Sequence, residues 1–571
     1  MTARCSSQLS LRSSRARLGS PKSRFRNQEP GVRSQEPEVR GPKTEDRSLE
    51  TSSFLTIPDS RRSPSGRSEL PSSNEAKARI AVLGGGITGL AVAYTLARAR
   101  EGGAPFEELL IEADGRLGGS ILTECIEGFV VEAGPDSFLA EKPEAAALCR
   151  ELGLADSLIG SNDRERRTYI LHRGRLVPLP DGMMLLVPTR LWPIVRTPLL
   201  PLTSKLALAA EWFMSPAAGN FERAGGRRTV DESVASFVRR HFGDAMLEKV
   251  ADPLLAAVFG GDTARLSVRS VLPRFQEMEQ RYGSLTRAVL EMRKQRRRQR
   301  ARSPRAVLDS SPPLFMTLKE GLGHLVVRLS ERLANSRLHL DERVVGLEPV
   351  SARGRNSATQ ATPQYKIHCE GGRSYEAGAV ILALPAHACS RLLSSMDAGL
   401  STTLAEIPYS SGLTVALGYD AAVARQLPPG FGFLAPRTEA RRLVACTFMH
   451  QKFLQRAPEG HALLRCFLGG TRDSEVLGLG DAEIVSLVRQ ELAQILEFSA
   501  EPEFVRVYRW PSSMPQYVLG HEARVAAIEN QLAKHPGLFI AGNAYSGIGI
   551  SDCIRTARTA AARAQNLCAS R

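Results

Sequence analysis

One glycine pattern limits the fold of this chain more than any other feature. Ala78–Leu83 is a short apolar run of β type, followed directly by Gly84-Gly85-Gly86-Ile87-Thr88-Gly89, a G-x-G-x-x-G. A helix-like segment runs on to Arg98, and Glu108–Glu112 reads as a second strand, so the whole is a β-α-β unit. Gly84 permits the tight turn, Gly86 lets a pyrophosphate approach the backbone, and Gly89 lets helix pack on strand. The helix N-terminus offers free N–H groups and partial positive charge to a phosphate. Glu112 closes the second strand 23 residues after Gly89, where a carboxylate accepts hydrogen bonds from both ribose hydroxyls. The bland alternative is a solvated acid at a strand end. The unit as a whole favours a Rossmann-type dinucleotide site.

The residues after Glu112 separate FAD from NAD. The strand continues into a second glycine turn with Arg116, Gly118, Gly119 and Ser120, then reaches Glu132-Ala133-Gly134-Pro135. This resembles the extended dinucleotide signature of the flavin amine oxidase superfamily, in which the R-x-G-G segment wraps the FAD pyrophosphate. Members often carry a further basic residue where this chain has Ser120, which leaves Arg116 as the only cation in the turn. Near the other end, Gly537–Asn543 is a buried strand with a small-residue turn, and Ile548-Gly549-Ile550 leads into a helix rich in Ala and Thr. Taken alone, that is equally a packing element. Paired with the first unit, it reads as the second half of a split FAD domain. The pairs Gly102-Gly103 and Gly469-Gly470 lack the strand–turn–helix frame, so no second nucleotide site is expected, and oxygen or a quinone serves as electron acceptor.

The rest of the composition mostly excludes. The chain has 571 residues, 43% of them hydrophobic, enough for several domain-sized units. No run of about 18 apolar residues suggests a spanning helix. Nine scattered cysteines without a C-x-x-C pair point to reduced thiols, and ten histidines without ligand spacing point away from a metal site. The net charge of +15 suggests nucleic acid or an anionic membrane until it is located. Residues 1–27 carry seven basic side chains, and the run Arg293–Arg305 carries eight, which together match the whole excess. The body is near neutral. No nucleic-acid partner is expected, since aromatic–basic interleaving is missing.

Residues 1–76 are rich in Ser, Arg, Pro and Glu and read as a disordered basic extension. They are either a plain tail or upstream-extended start, or, on the strength of acid-free residues 1–27, an organellar transit peptide. Residues 144–159 read as a helix, helical signals continue through 231–258, and 293–313 read as a polar, basic loop. The apolar, proline-broken segment 183–214 is either core around an irregular hairpin or an apolar surface that rests on a bilayer.

At the level of the whole chain, the resemblance is to the oxygen-dependent protoporphyrinogen oxidase family. It is carried by Gly84–Gly89, Asp252–Asp262, Phe315–Leu322, Ile407–Ser410, Gly430–Leu434, Arg456–Pro458, Phe467–Gly470, Trp510 with Met514–Tyr517, Gly520-His521 and Gly542–Tyr545. The flavin-linking cysteine or aromatic cage of amine oxidases is not evident. The resemblance implies an α/β (α+β composite) fold: a split Rossmann-type FAD-binding domain, a substrate domain and a mostly helical membrane-associating domain. The FAD domain would take residues 77–165, 315–390 and 505–571; the substrate and helical parts would take 166–314 and 391–504. It assigns Gly84–Gly89, Glu112, Arg116, Gly118, Gly119, Ser120, Gly134, Pro135, Asp136, Ser137, Val344, Trp510, Gly542, Asn543, Ile548, Gly549 and Ile550 to the cofactor.

The implied reaction takes a porphyrinogen, protoporphyrinogen IX, to the porphyrin in three two-electron cycles, with FAD as cofactor and molecular oxygen as acceptor. No side chain acts as general acid or base; the protein positions the substrate, excludes water and tunes the flavin. Phe431 lies between two glycines that would let it approach a macrocycle face, and matches a stacking aromatic of the family, or else is a strand-core residue. Arg166 and Arg167 match the propionate-binding region, or else are surface arginines; Ala257 would line the slot. Coproporphyrinogen III is the alternative substrate. An amine oxidase, a carotenoid-type desaturase and a non-enzymatic basic scaffold are the competing functions. The implied location is cytoplasmic, with peripheral membrane contact and a homodimer left open, or organellar if residues 1–27 are a transit peptide.

Overall fold

In the computed structural model, residues 78–184, 187–188, 191–213, 231–302, 313–350 and 364–569 are described, all within one unit spanning Ser60–Arg571. The expectations for residues 1–76, and for residues 303–305 of the basic run, lie outside them.

The first strand, Ala78–Leu83, sits at the centre of a five-stranded parallel sheet. Its order is Arg337–His339, Phe106–Ile111, Ala78–Leu83, Ala379–Leu382 and Leu538–Ile540. The alternation of side chains along each strand divides the core in two. Ile80, Val82, Leu110 and Ile381 enter one cluster with the helices Ile87–Glu101 and Ile550–Ala569; Ala81, Leu83, Leu109, Val380 and Leu382 enter the other. The sheet is thus assembled from the beginning, middle and end of the sequence. A second, seven-stranded mixed sheet is ordered Phe504–Pro515, Tyr409–Tyr419, Ala462–Gly469, Ala445–Phe448, Gly432–Leu434, Thr168–His172 and Arg175–Pro178. A third cluster is built mainly from helices between Leu191 and Arg302.

Two local expectations are corrected. The helix expected over 144–159 is Pro143–Glu151 only, because Gly153 takes a φ of 78° and Leu158–Gly160 instead pairs with Phe315–Leu318. The basic loop expected over 293–313 is helical through Arg302, as the end of the helix Leu285–Arg302. No glycine or proline interrupts that stretch, and Arg, Lys, Gln and Ala all favour helix. The helix is also strongly started: the buried Glu211 carboxylate accepts from Leu285 and Thr286 N–H, and Ser284 Oγ accepts from Arg287 N–H at 3.0 Å.

Glu211 also faces His241, which is fully buried between Glu211 and Glu279 at 3.3 Å from each. Arg240 reaches Glu232 and Glu279 beside it. Burial lowers the His241 pKa, but hydrogen bonds to the two carboxylates outweigh it and hold it above the ordinary value. A raised folded-state pKa contributes stability that is complete below the unfolded value of about 6.5 and lost as pH rises through the folded value. Glu279, held down to about 2, contributes above its unfolded value and loses that only in strong acid. Thermal unfolding should therefore show wild type losing stability relative to His241→Gln as pH rises above about 6.5. Parallel pH profiles for the two proteins would show that the histidine is not charged.

Candidate functional site

The carboxyl ends of the parallel strands define the site, as expected for an open α/β sheet. Gly84 follows one strand, Glu112 the next, Ala383 a third and Gly542 a fourth. A Cβ on Gly84, where φ is 106°, would lie 2.6 Å from the Ala383 carbonyl oxygen; one on Gly89 would lie 1.7 Å from that of Gly84. Both glycines are required for packing. Gly86 differs: a Cβ there meets no atom of the protein within 4 Å. It caps the helix Ile87–Glu101, whose first turn buries Ile87 and Thr88. An open cradle at a helix N-terminus fits the pyrophosphate of a dinucleotide.

Glu112 lies beside this turn, accepting the Gly85 N–H with one oxygen and the Asp114 N–H at 2.9 Å with the other. Gly118 N–H donates to Gly85 O at 2.9 Å, joining the two glycine turns. Arg116 donates to the carbonyls of Gly119 (2.6 Å), Leu117 (3.3 Å) and Ile121 (3.4 Å). The guanidinium thus braces its own turn. Ser120 is exposed, and its carbonyl lies where a Cβ on Gly134 would intrude, at 1.9 Å. Val344 opens the strand Val344–Val350, two residues beyond Glu342, whose N–H donates to Glu112 O at 2.9 Å.

The last turn is braced from behind. Tyr517 OH donates to Asn543 O at 2.6 Å and accepts from Gly547 N–H at 2.8 Å. Its ring stacks on His521 at 4.0 Å, and His521 Nε2 lies 3.1 Å from Tyr545 O. Burial pushes the His521 pKa down to about 4, so the ring is neutral near pH 7 and Nε2–H donates. Gly542 N–H donates to Thr556 Oγ1 at 3.2 Å, and a Cβ on Gly542 would lie 3.9 Å from Thr88 Oγ1, which brings the two ends of the split domain together. Ile548 is half-buried, Gly549 exposed, and Ile550 buried at the start of the final helix.

Where the hairpin of Thr123–Ile126 and Phe129–Glu132 meets the seven-stranded sheet lies a charged cluster that sequence reasoning missed. Arg456 and Glu132, both with side chains fully buried, pair at 3.0 Å. Asp136 accepts from Lys452 at 3.0 Å and from Arg465 at 3.1 Å. Ser137 Oγ lies 3.3 Å from Lys452 Nζ. Arg465 also donates to Gly134 O, and Trp510 Nε1 to Ala133 O at 3.1 Å. Burial alone would raise the Asp136 pKa, but the two cations outweigh it and hold the carboxyl well below its usual range. Burial lowers that of Lys452 despite Asp136. Pro135 lies inside this braced stretch. The signal in the sequence was a lone arginine within the otherwise apolar strand Ala462–Gly469.

On the substrate side, Phe431 and Arg167 are neighbours: Phe431 N–H donates to Arg167 O at 2.7 Å. Arg166 and Arg167 are exposed, and Ala257 is half-buried on the helix Asp252–Phe259. The glycines around Phe431 have a different reason from the one expected. Cβ atoms on Gly430 and Gly432 would lie 2.6 Å from Arg167 O and 2.0 Å from Cys446 O, so they admit neighbouring strands rather than a ligand. Phe431 itself is only 8% exposed, yet among the described residues it belongs to none of the apolar clusters.

The family described as flavin containing amine oxidoreductase matches residues 87–565. Coproporphyrinogen III oxidase of Bacillus subtilis (strain 168) is 32% identical over 489 residues, 85% of this chain and 98% of that protein. Protoporphyrinogen oxidase 1, chloroplastic, of Arabidopsis thaliana is 28% identical over 501 residues, 85% and 87%. A crystal structure assigned as a protoporphyrinogen oxidase from Exiguobacterium sp. 255-15 superposes with a TM-score of 0.72 at 29% identity, covering 86% of this chain and 99% of that one.

Proposed function

The chain belongs to the flavin-containing amine oxidoreductase family, with FAD as its cofactor, and we propose that it oxidises a porphyrinogen, protoporphyrinogen IX, to the porphyrin with molecular oxygen as acceptor. When bound, the flavin supplies a two-electron acceptor for hydride from a meso carbon. The protein's residues do the rest. The Gly84–Gly89 turn and Glu112 hold the dinucleotide, while Tyr517 and His521 fix the Gly542–Ile550 turn. Each oxidation removes two electrons and two protons from the substrate, and three restore full conjugation, with one oxygen reduced to hydrogen peroxide per cycle. The pyrrole N–H protons can leave to water, so no buried base is needed.

The observation that carries the substrate reading is Phe431, buried but outside the apolar clusters of the described residues, bonded to Arg167 just before the strand Gly432–Leu434. An aromatic face suits a macrocycle and an arginine suits a propionate. Coproporphyrinogen III is a second reading, favoured by the Bacillus subtilis relative of that name. Purified yellow protein offered each porphyrinogen under air, with porphyrin fluorescence followed in time, tests both. In the same assay Phe431→Ala should lose about 2–4 kcal/mol of transition-state stabilisation, a fall in kcat/KM of tens- to about a thousand-fold. FAD content and reoxidation of chemically reduced flavin should not change. Normal turnover, or joint loss of flavin and stability, would make Phe431 a core residue.

Peripheral membrane contact is supported on the helical face. No helix among the described residues is long and apolar enough to cross a membrane. The described residues of segment 183–214 are divided between the core and the surface. Ile194, Leu199, Leu200 and Leu208 are buried in the helical cluster, whereas Trp192, Leu202, Leu206 and Phe213 are 61–82% exposed. Arg196 lies over the Trp192 ring at 4.6 Å, an aromatic–cation pair suited to a headgroup layer.

A further inference from the structure

The Lys452–Asp136–Arg465 group carries more positive than negative charge, met on its other sides by aromatic faces, with Phe315 4.5 Å from Lys452 Nζ and Phe467 4.8 Å from the Arg465 guanidinium. All three side chains are at most 12% exposed, and one carboxylate serves two cations. The neighbouring pair Glu132–Arg456 is balanced in itself. Arg465 Nε is buried without any hydrogen-bond partner, as are Nε and Nη1 of Arg456. Uncompensated positive charge in a dry interior is costly unless an anion completes it. The group touches the chain at Ala133, Gly134, Asp136 and Ser137, and Gly134 packs on Ser120 of the second glycine turn.

We propose that Lys452 and Arg465, sharing the single carboxylate of Asp136, hold one net positive charge against the Gly134–Ser137 segment and thereby favour the reduced, anionic state of the bound flavin. The proposal rests on the assignment of Gly134–Ser137 to the cofactor. Uptake of two electrons and one proton turns the neutral oxidised flavin into a reduced flavin bearing one negative charge. A fixed cation nearby lowers the free energy of that product, not of the oxidised form. Because the cations are held by Asp136 and by backbone carbonyls, they need no rearrangement when the charge develops. Lys452 and Arg465 are positioning residues, since nothing places them on the reacting atoms.

Sulfite tests this without turnover. It adds through sulfur to the oxidised flavin and leaves a negative charge on the ring system, so its dissociation constant reports the local field. With flavin content matched by absorbance, Lys452→Met should weaken sulfite binding about tenfold or more, because it removes one unit charge from a poorly screened interior. Lys452→Arg should bind as wild type does. The double variant Lys452→Met/Asp136→Asn removes one charge of each sign and leaves Arg465 in excess, so it should recover sulfite affinity. Unchanged binding in Lys452→Met overturns the proposal, as does a double variant no better than the single. Loss of flavin from both would show that the cluster builds the site rather than tunes it, and would also overturn it. A wild-type protein that holds no flavin would instead remove the cofactor assignment itself.

Discussion

Gly86→Val should give a folded protein that purifies without colour. The backbone at Gly86 has φ −68° and ψ 178°, which valine adopts without strain, and a Cβ there meets no protein atom within 4 Å. The apo fold should lose no more than the few tenths of a kcal/mol, up to about 1 kcal/mol, expected when a poorer residue replaces glycine at a helix N-cap. What the side chain does fill is the open cradle in front of the helix. Displacing a phosphate from even two N–H donors costs about 1.5–3 kcal/mol each. Flavin affinity should therefore fall by a hundredfold or more. The matched comparison is Gly89→Ala, whose Cβ would lie 1.7 Å from Gly84 O. It must push helix from strand, at the upper end of the ~1–3 kcal/mol typical of overpacking. Flavin absorbance per mole of protein and the unfolding temperature separate the two: Gly86→Val loses only the first, Gly89→Ala both. A yellow Gly86→Val with full flavin would remove this turn as the dinucleotide site.

Those two glycines show which features of the fold were legible in advance. The β-α-β unit could be read because its constraints are local: a turn, a helix start and a strand end within about one supersecondary unit of chain. The final strand and helix could be paired with it because their residues form a recognisable glycine turn. The charged cluster could not be read, since Glu132 on a hairpin, Lys452 on the short helix Met449–Lys452 and Arg465 on the strand Ala462–Gly469 meet only through tertiary packing, and no spacing encodes that. The glycines flanking Phe431 were legible as close approaches, but not the partner approached, which proved to be neighbouring strands. The basic run was misread for a related reason. Charge density suggested a loop, while the features that decide helix there are the absence of breakers and the Glu211 carboxylate at its N-terminus, 74 residues earlier than Leu285.

The buried Glu132–Arg456 pair should be the most sensitive single contact for stability. Neither side chain is exposed, Arg456 Nη2 donates to Glu132 at 3.0 Å and to Thr317 Oγ1 at 2.7 Å, and Glu132 also accepts from Leu322 N–H at 2.8 Å and Thr123 Oγ1 at 2.6 Å. Burial raises the Glu132 pKa even against the guanidinium, a sign of how much the carboxylate depends on that partner. Arg456→Met leaves a buried carboxylate without its cation, which typically costs about 3–5 kcal/mol. The damage should extend to the cofactor, because Glu132 ends the strand Phe129–Glu132 directly before Ala133 and Gly134. Arg456→Met should accordingly unfold at lower denaturant and lose flavin at lower temperature than wild type. Adding Glu132→Gln removes the orphaned charge, keeps one oxygen acceptor for Leu322 N–H and offers an amide N–H to Thr123 Oγ1, so the double variant should be more stable than Arg456→Met alone. That order distinguishes charge from packing. If the double variant is instead the less stable of the two, the lost volume and hydrogen bonds of Arg456 decide the outcome, and the ion pair is incidental to the fold.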